Sequence, residues 1–177
     1  MSGILRRALL PLAAAALAAC QASLPYQGHP KFSFEYPEGW AGPSAIDDGV
    51  RFQTPDGAVC LEAAYHPAGT KAYRTPGDFR RTMREQGTTA DSHIIEEVKL
   101  ATGTAYQVLF TTHEYDPRYL LGAKKEVLTT ALLMAPDRDG IFVMRLQAPR
   151  RTFGRVLRHW RHALKTLALE PPALATP

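Results

Sequence analysis

Cysteine is scarce in this 177-residue chain, occurring only at Cys20 and Cys60. Two cysteines cannot staple a chain of this length, so its stability must come from packing. Long apolar runs are also missing. The run from Ala8 to Ala19 has twelve residues, short of the about 20 needed to cross ~30 Å of hydrocarbon. Nucleophile motifs are lacking: no Gly-x-Ser-x-Gly and no Ser-x-x-Lys occurs. Gly39, Gly42, Gly49 and Gly57 are scattered turn glycines and form no phosphate-cradling loop. No stretch combines a basic cluster with aromatics at stacking spacing, which excludes a nucleic-acid partner. Finally, acidic residues are absent from Gln147 to Leu169, where cations are dense.

The N-terminus carries the strongest positive signal. Arg6 and Arg7 precede the apolar run, and small residues occupy the two positions before Cys20. Charge, apolar length and small residues in that order describe a cleavable export signal over residues 1–19. Leu17-Ala18-Ala19-Cys20 resembles the lipobox of bacterial lipoproteins, in which the cysteine sulfur receives a diacylglyceryl group and becomes the new N-terminus. Lipidation of Cys20 is therefore expected, with the membrane as one partner through its acyl chains. At ~0.8 kcal/mol per buried methylene, two long chains give on the order of 20 kcal/mol of gross membrane affinity. Gln21 follows where inner-membrane lipoproteins of many enterobacteria carry Asp, so the resemblance implies the outer membrane, facing the periplasm. Cleavage before Cys20 lowers the formal charge from +4 to +2 and leaves Cys60 as the remaining thiol. That residue sits in the apolar stretch Ala58–Ala64, which suits a small buried hydrophobe.

The 158 residues beyond the signal fit one domain. Residues 20–30 mix Gln, Ser, Pro and Gly without periodicity and read as a lipidated tether. Residues 170–177 carry three prolines and read as a disordered tail. Between them, residues 31–169 are rich in strand signals. Phe32, Phe34 and Tyr36 alternate with Lys31, Ser33 and Glu35, and Pro37-Glu38-Gly39 closes that strand. Hairpins follow at Val50–Thr54 with Ala58–Tyr65, at Ser92–Leu100 with Thr104–Tyr115, and at Lys125–Ala135 with Ile141–Gln147. About six to seven strands joined by hairpins form a largely antiparallel sheet that buries its faces under helices.

Two helices are visible. Thr75 is placed to cap the first, with Pro76 at its first position, Asp78 as the capping-box acid, Phe79 and Met83 facing the sheet, and Gly87 as the stop. The second is strongly amphipathic. On a 100° wheel, Phe153, Val156, Leu157, Trp160, Ala163, Leu164, Leu167 and Ala168 share one arc, while Arg155, Arg158, His159, Arg161, His162 and Lys165 share the other.

The segment Phe32-Ser33-Phe34-Glu35-Tyr36-Pro37-Glu38-Gly39-Trp40, with its Tyr-Pro-x-x-Trp turn, resembles the opening strand of the PsbP-like proteins, DcrB-type bacterial lipoproteins among them. The order of elements over residues 31–169 is similar too. The resemblance implies an α+β fold, an antiparallel sheet with helices on both faces in an α/β/α sandwich. It implies an accessory or binding role with no shared catalytic residues and no cofactor.

Two chemical readings compete. In the first, the chain is a non-catalytic cell-envelope lipoprotein that binds an envelope protein partner. Arg150, Arg151, Arg155, Arg158, Arg161 and Lys165 then offer a cationic face to an acidic partner or to phospholipid headgroups, each contributing ~1 kcal/mol before screening. In the second, a metal-dependent or hydrolytic enzyme assembles His66, His93, His113 and Asp116 through the fold. Local geometry speaks against a site at His113-Glu114-Tyr115-Asp116 alone, because adjacent strand residues point to opposite faces. No metal site is therefore expected. A structure with three of those four side chains within ~5 Å of one point beside a cleft would favour the enzyme.

Overall fold

In a computed structural model, the described residues are 22–89, 95–116 and 123–169. Residues 1–21, with the segment expected to be an export signal and Cys20, lie outside them, as do His93 and the tail.

Seven strands form the main antiparallel sheet. In chain order they are β3 (Ala41–Ile46), β4 (Gly49–Gln53), β5 (Cys60–Pro67), β6 (Ile95–Leu100), β7 (Gly103–Asp116), β8 (Ala123–Asp137) and β9 (Gly140–Pro149), and they lie side by side as β3-β4-β5-β9-β8-β7-β6. All three hairpins read from the sequence form. Thr54 and Asp56 tie the first turn: the Thr54 hydroxyl donates to the Asp56 carboxylate, which also accepts the Ala58 N–H at 3.0 Å. The long β8–β9 hairpin supplies the centre of the sheet, with Phe142 opposite Ala135 and Met144 opposite Leu133.

A second sheet of three strands, β1-β2-β10, lies over one face of the first. Its centre is β2 (Phe32–Pro37), the aromatic strand. β1 (Ser23–His29) flanks it on one side and β10 (Ala168–Leu169) on the other. This corrects the tether reading of residues 20–30, because residues 23–29 already belong to the folded body. The segment Ser-Leu-Pro-Tyr-Gln-Gly-His lacks clear alternation; its order comes from backbone pairing with β2 and from Tyr26, whose ring lies 5.5–5.9 Å from those of Phe32, Phe34 and Phe52. Pro25 is tolerated because β1 is an edge strand, where a missing N–H costs no ladder bond. β3 was likewise hidden in the sequence: Ala-Gly-Pro-Ser-Ala-Ile is an exposed edge with no apolar face to signal it.

Helices cover both faces of the main sheet. α1 (Pro76–Thr89) has the capping box expected of it, with the Thr75 hydroxyl accepting the Asp78 N–H at 3.1 Å and donating to the Asp78 carboxylate at 2.7 Å. Gly87 does not stop this helix, which continues to Thr89; a glycine inside a helix costs about 1 kcal/mol but does not break it. Phe79 joins the cluster of Val108, Met134 and Ile141 on the outer face, as expected, while the Met83 side chain lies outside the described residues.

α2 (Arg150–Thr166) packs on the inner face, burying Phe153, Trp160 and Ala163. The helix ends at Thr166, so Ala168 belongs to β10 and not to the helical arc. Inside, the main core joins Phe32 and Phe34 from β2 to Phe52, Leu61, Ala63, Phe142, Met144 and Leu146 of the main sheet, with Trp160 beside them. Trp160 Nε1–H donates to Gln107 Oε1 at 2.9 Å, so the one polar atom of this buried ring is satisfied.

Truncating the fully buried Phe52, which meets Tyr26, Phe34 and Tyr36 at once, is expected to cost ~3–5 kcal/mol as Phe52→Ala. Urea unfolding checks this; a loss under ~1 kcal/mol would show that the two sheets do not share one core.

Candidate functional site

The cationic face of α2 is the surface that the fold builds most distinctly. Arg150, Arg151, Arg155, Arg158, Arg161 and Lys165 are all exposed. Arg158 donates through Nε to His159 Nε2 at 3.3 Å. Arg151, Arg155, Arg161 and Lys165 pair with no acidic side chain among the described residues. Local helix physics does not favour this distribution. The first turn holds no acid, and two arginines stand there at the positive end of the helix dipole, an arrangement that costs about 0.3–1 kcal/mol per charge when exposed. Only Lys165, in the last turn, complements the dipole. Burial of the apolar face holds the helix together in spite of its charges.

The two histidines of α2 do not simply join the solvated arginine face, as expected from the wheel. His162 Nε2–H donates to Glu35 Oε2 at 2.7 Å, and Ser23 Oγ donates to the same oxygen at 2.5 Å. The Glu35 N–H in turn donates to Thr166 Oγ1 at 3.0 Å. β1, β2 and α2 are thus pinned together at one point on the surface. The Ser23 and His162 hydrogen bonds hold the Glu35 carboxyl below its usual range. His159 is half-buried beside Trp40, edge to face at 6.1 Å. Burial, then Arg158 and His162, lower its pKa. Trp40 and Tyr36 therefore pack as flanking aromatics of the Pro37 turn, Tyr36 against Phe52 at 4.2 Å.

The outer sheet face carries a second charged group. Glu62 sits between Arg51 and Arg145, its cross-strand neighbours on β4 and β9, with Nη2 distances of 2.7 and 2.6 Å. Its side chain is 14% exposed, so both guanidinium groups are engaged in neutralising a half-buried carboxylate. Cys60 lies on this face, not in the core, with Sγ 3.8 Å from Glu62 Oε1. The reason is the strand's period of two: Leu61 and Ala63 point inward, so Cys60 cannot. Burial and the Glu62 charge push its thiol up, away from the reactive thiolate.

Of the four residues of the enzyme reading, His93 lies outside the described residues, and the backbone positions of His66 and His113 are far apart. His66 pairs in register with Ile141, which pairs with Pro136, at the end of the sheet where the β7 strand begins. His113 pairs with Val127 near the other end, three strands away from β5. At ~3.3 Å per residue and ~4.8 Å per strand, the two histidines are separated by roughly 30 Å along the strands and about 14 Å across them. His66 instead meets Asp48, Nδ1 to Oδ2 at 3.3 Å. The side chains of His113 and Asp116 lie outside the described residues, and among those described no group of three or more His, Cys, Asp or Glu side chains is poised to hold a metal.

No family model and no curated protein matches the chain. Solved structures do. The Ran-binding protein Mog1p of Saccharomyces cerevisiae superposes with a TM-score of 0.55 at 8% identity, over 84% of this chain and 96% of that one. Cyanobacterial PsbP from Synechocystis gives 0.53 at 11%, over 90% and 99%. LpqN of Mycobacterium tuberculosis, described as involved in cell envelope biogenesis, gives 0.50 at 12%, over 85% and 91%. A Bacteroides thetaiotaomicron protein gives 0.55 at 15% over 89% of this chain, which spans about half (52%) of that protein's length. At these identities the likeness is one of fold: the chain has a PsbP-like α+β architecture, as the Phe32–Trp40 segment implied.

Two half-buried histidines, His29 and His159, are expected to contribute to the pH response. His29 stacks on Phe32 at 4.2 Å, and burial lowers its pKa against a weaker pull from Asp48. With both His29 and His159 lowered in the folded state, the unfolded chain binds more protons below the ordinary imidazole pKa of about 6.5. Their stabilisation is complete above that value and is lost as pH falls through it toward the folded values. Melting temperature is expected to drop between pH 7.5 and 5, and His159→Gln to show a shallower slope; equal slopes would remove His159 from the response.

Proposed function

We propose that this protein is a non-catalytic accessory or binding module of the bacterial cell envelope, held to the outer membrane by acyl chains on Cys20 and facing the periplasm. The observation that carries the proposal is the order of parts at the N-terminus. A lipobox-like Leu17-Ala18-Ala19-Cys20 is followed after only two residues, Gln21 and Ala22, by Ser23, the first residue of β1. A body that starts so close to an anchor works at the bilayer surface. The fold supports the non-catalytic reading, since Mog1p, with the same architecture, is a Ran-binding protein and LpqN is involved in cell envelope biogenesis. The working surface is the exposed cationic face of α2, at Arg151, Arg155, Arg158, Arg161 and Lys165. A protein partner in the envelope completes the reading.

Growth of an expressing bacterium with labelled palmitate, followed by fractionation, tests the anchor. The wild-type chain is expected to incorporate label and to sediment with membranes in high salt, whereas Cys20→Ser is expected to lose the label altogether. An unlabelled wild-type chain with a free thiol at residue 20 by mass spectrometry would refute it.

A further inference from the structure

We propose that the cationic stripe of α2 is the membrane-facing surface of the protein, and that it lies on anionic phospholipid headgroups of the bilayer that holds the Cys20 anchor. The inference deepens the anchored reading and rests on it. It comes from where the fold places the start of the chain. Ser23 is seated on Glu35, and Glu35 on His162 of α2. On a helix with about 100° per residue, Arg151, Arg155, Arg158 and Lys165 all lie within about 60° of His162. Ser23 is therefore fixed against the same side of α2 that carries the cations, midway between Arg158 and Lys165 along the helix.

Chain length then limits where the anchor can be. Only Gln21 and Ala22 separate Ser23 from Cys20, and three steps of extended chain at ~3.5 Å each span at most about 10 Å. Acyl chains on Cys20 must thus enter the bilayer close to α2. Screening acts over a similar length, about 8–10 Å at physiological ionic strength, so cations held at that range still feel an anionic surface. The stripe from Arg151 to Lys165 runs ~21 Å along the helix. α2 itself carries no acid; the carboxylate that meets the stripe, Glu35, is engaged by Ser23 and His162, and the cationic side chains are exposed and long enough to reach phosphate oxygens. The arginines at the first turn, unfavourable for the helix dipole, are favourable beside a phosphate plane. In this orientation the opposite face of the main sheet, with α1 and the Arg51–Glu62–Arg145 ladder, looks away from the membrane.

Chemical footprinting of the processed, acylated protein tests the proposal. The protein is placed in vesicles of phosphatidylcholine alone or with about one third phosphatidylglycerol, and reacted with a water-soluble acetylating reagent. Lys165 is on the stripe, and Lys71, on the loop before α1, is the exposed reference. With phosphatidylglycerol at low salt, Lys165 is expected to react at least about threefold more slowly than in phosphatidylcholine, with Lys71 unchanged and the difference erased in 0.5 M salt, where charges are screened within about 4 Å. The variant Arg151→Gln/Arg155→Gln/Arg161→Gln, which alters only exposed side chains, is expected to show much weaker protection; circular dichroism verifies its fold. Equal Lys165 rates in both vesicles, or equal slowing at Lys71, would overturn the proposal. So would protection that appears only when envelope proteins are added, which would assign the stripe to an acidic protein. Retention on vesicles in 0.5 M salt reads the anchor separately: protein that washes off indicts acylation, whereas protein that stays with an unprotected Lys165 indicts the stripe.

Discussion

The burial of one aromatic strand between two sheets is the constraint on which the rest of the molecule depends. Phe32 and Phe34 leave water only because β2 is held over the main sheet, where they meet Phe52 and Phe142. Rings of this size bring the largest apolar area per residue into the core, and their tilted and edge-on contacts add to area burial. Holding β2 there requires a partner on each of its edges. β1 supplies one and β10 the other, and β10 is reached only because α2 packs beside β2 and ends at Thr166. The N-terminal strand, the last helix and the final short strand are consequently parts of one layer.

This layer is also what gives the surface its direction. The residues that fasten it at its edge are polar: Ser23, Glu35, His162 and Thr166 form a cluster linking three elements, with the carboxylate of Glu35 receiving two of the bonds. A cluster of this kind contributes modestly to stability at the surface but fixes geometry, because each group has few alternative partners of the right reach. Its consequence is that the chain's entry point, the cationic helix face and the half-buried His159 lie on one side, while α1 and the half-buried Glu62 lie on the other. On the proposed anchoring at Cys20, the side that holds the start of β1 is the near side, and it is the one rich in cations.

The sheet and the helices were readable because their signals are local. Alternation at Phe32, Phe34 and Tyr36, the Pro55-Asp56-Gly57 turn, the Thr75–Asp78 capping box and the apolar arc of α2 are each properties of a few neighbouring residues. The misreadings occur where the decisive partner is distant. Residues 23–29 resemble a linker until β2 offers them a ladder, and Ala41–Ile46 has no apolar face because an edge strand needs none. Cys60 looked buried in an apolar stretch, but the phase of β5, set by Leu61 and Ala63 facing the core, turns it outward. His66 and His113 carried ligand chemistry in the sequence, and sheet register, which no local pattern reveals, sets them at opposite ends.

What the sequence by itself determined is therefore the inventory of the folded body: hairpins, a capped helix and an amphipathic helix with one cationic side. Those follow from residue type and spacing over a few turns or strands, where steric and hydrogen-bonding preferences act directly. The tertiary structure alone decided which of these lie together. The contact of Glu35 with His162 spans 127 residues of chain, with Ser23 joining the same carboxylate from β1, and only the closing of the aromatic core brings those three groups within bonding distance.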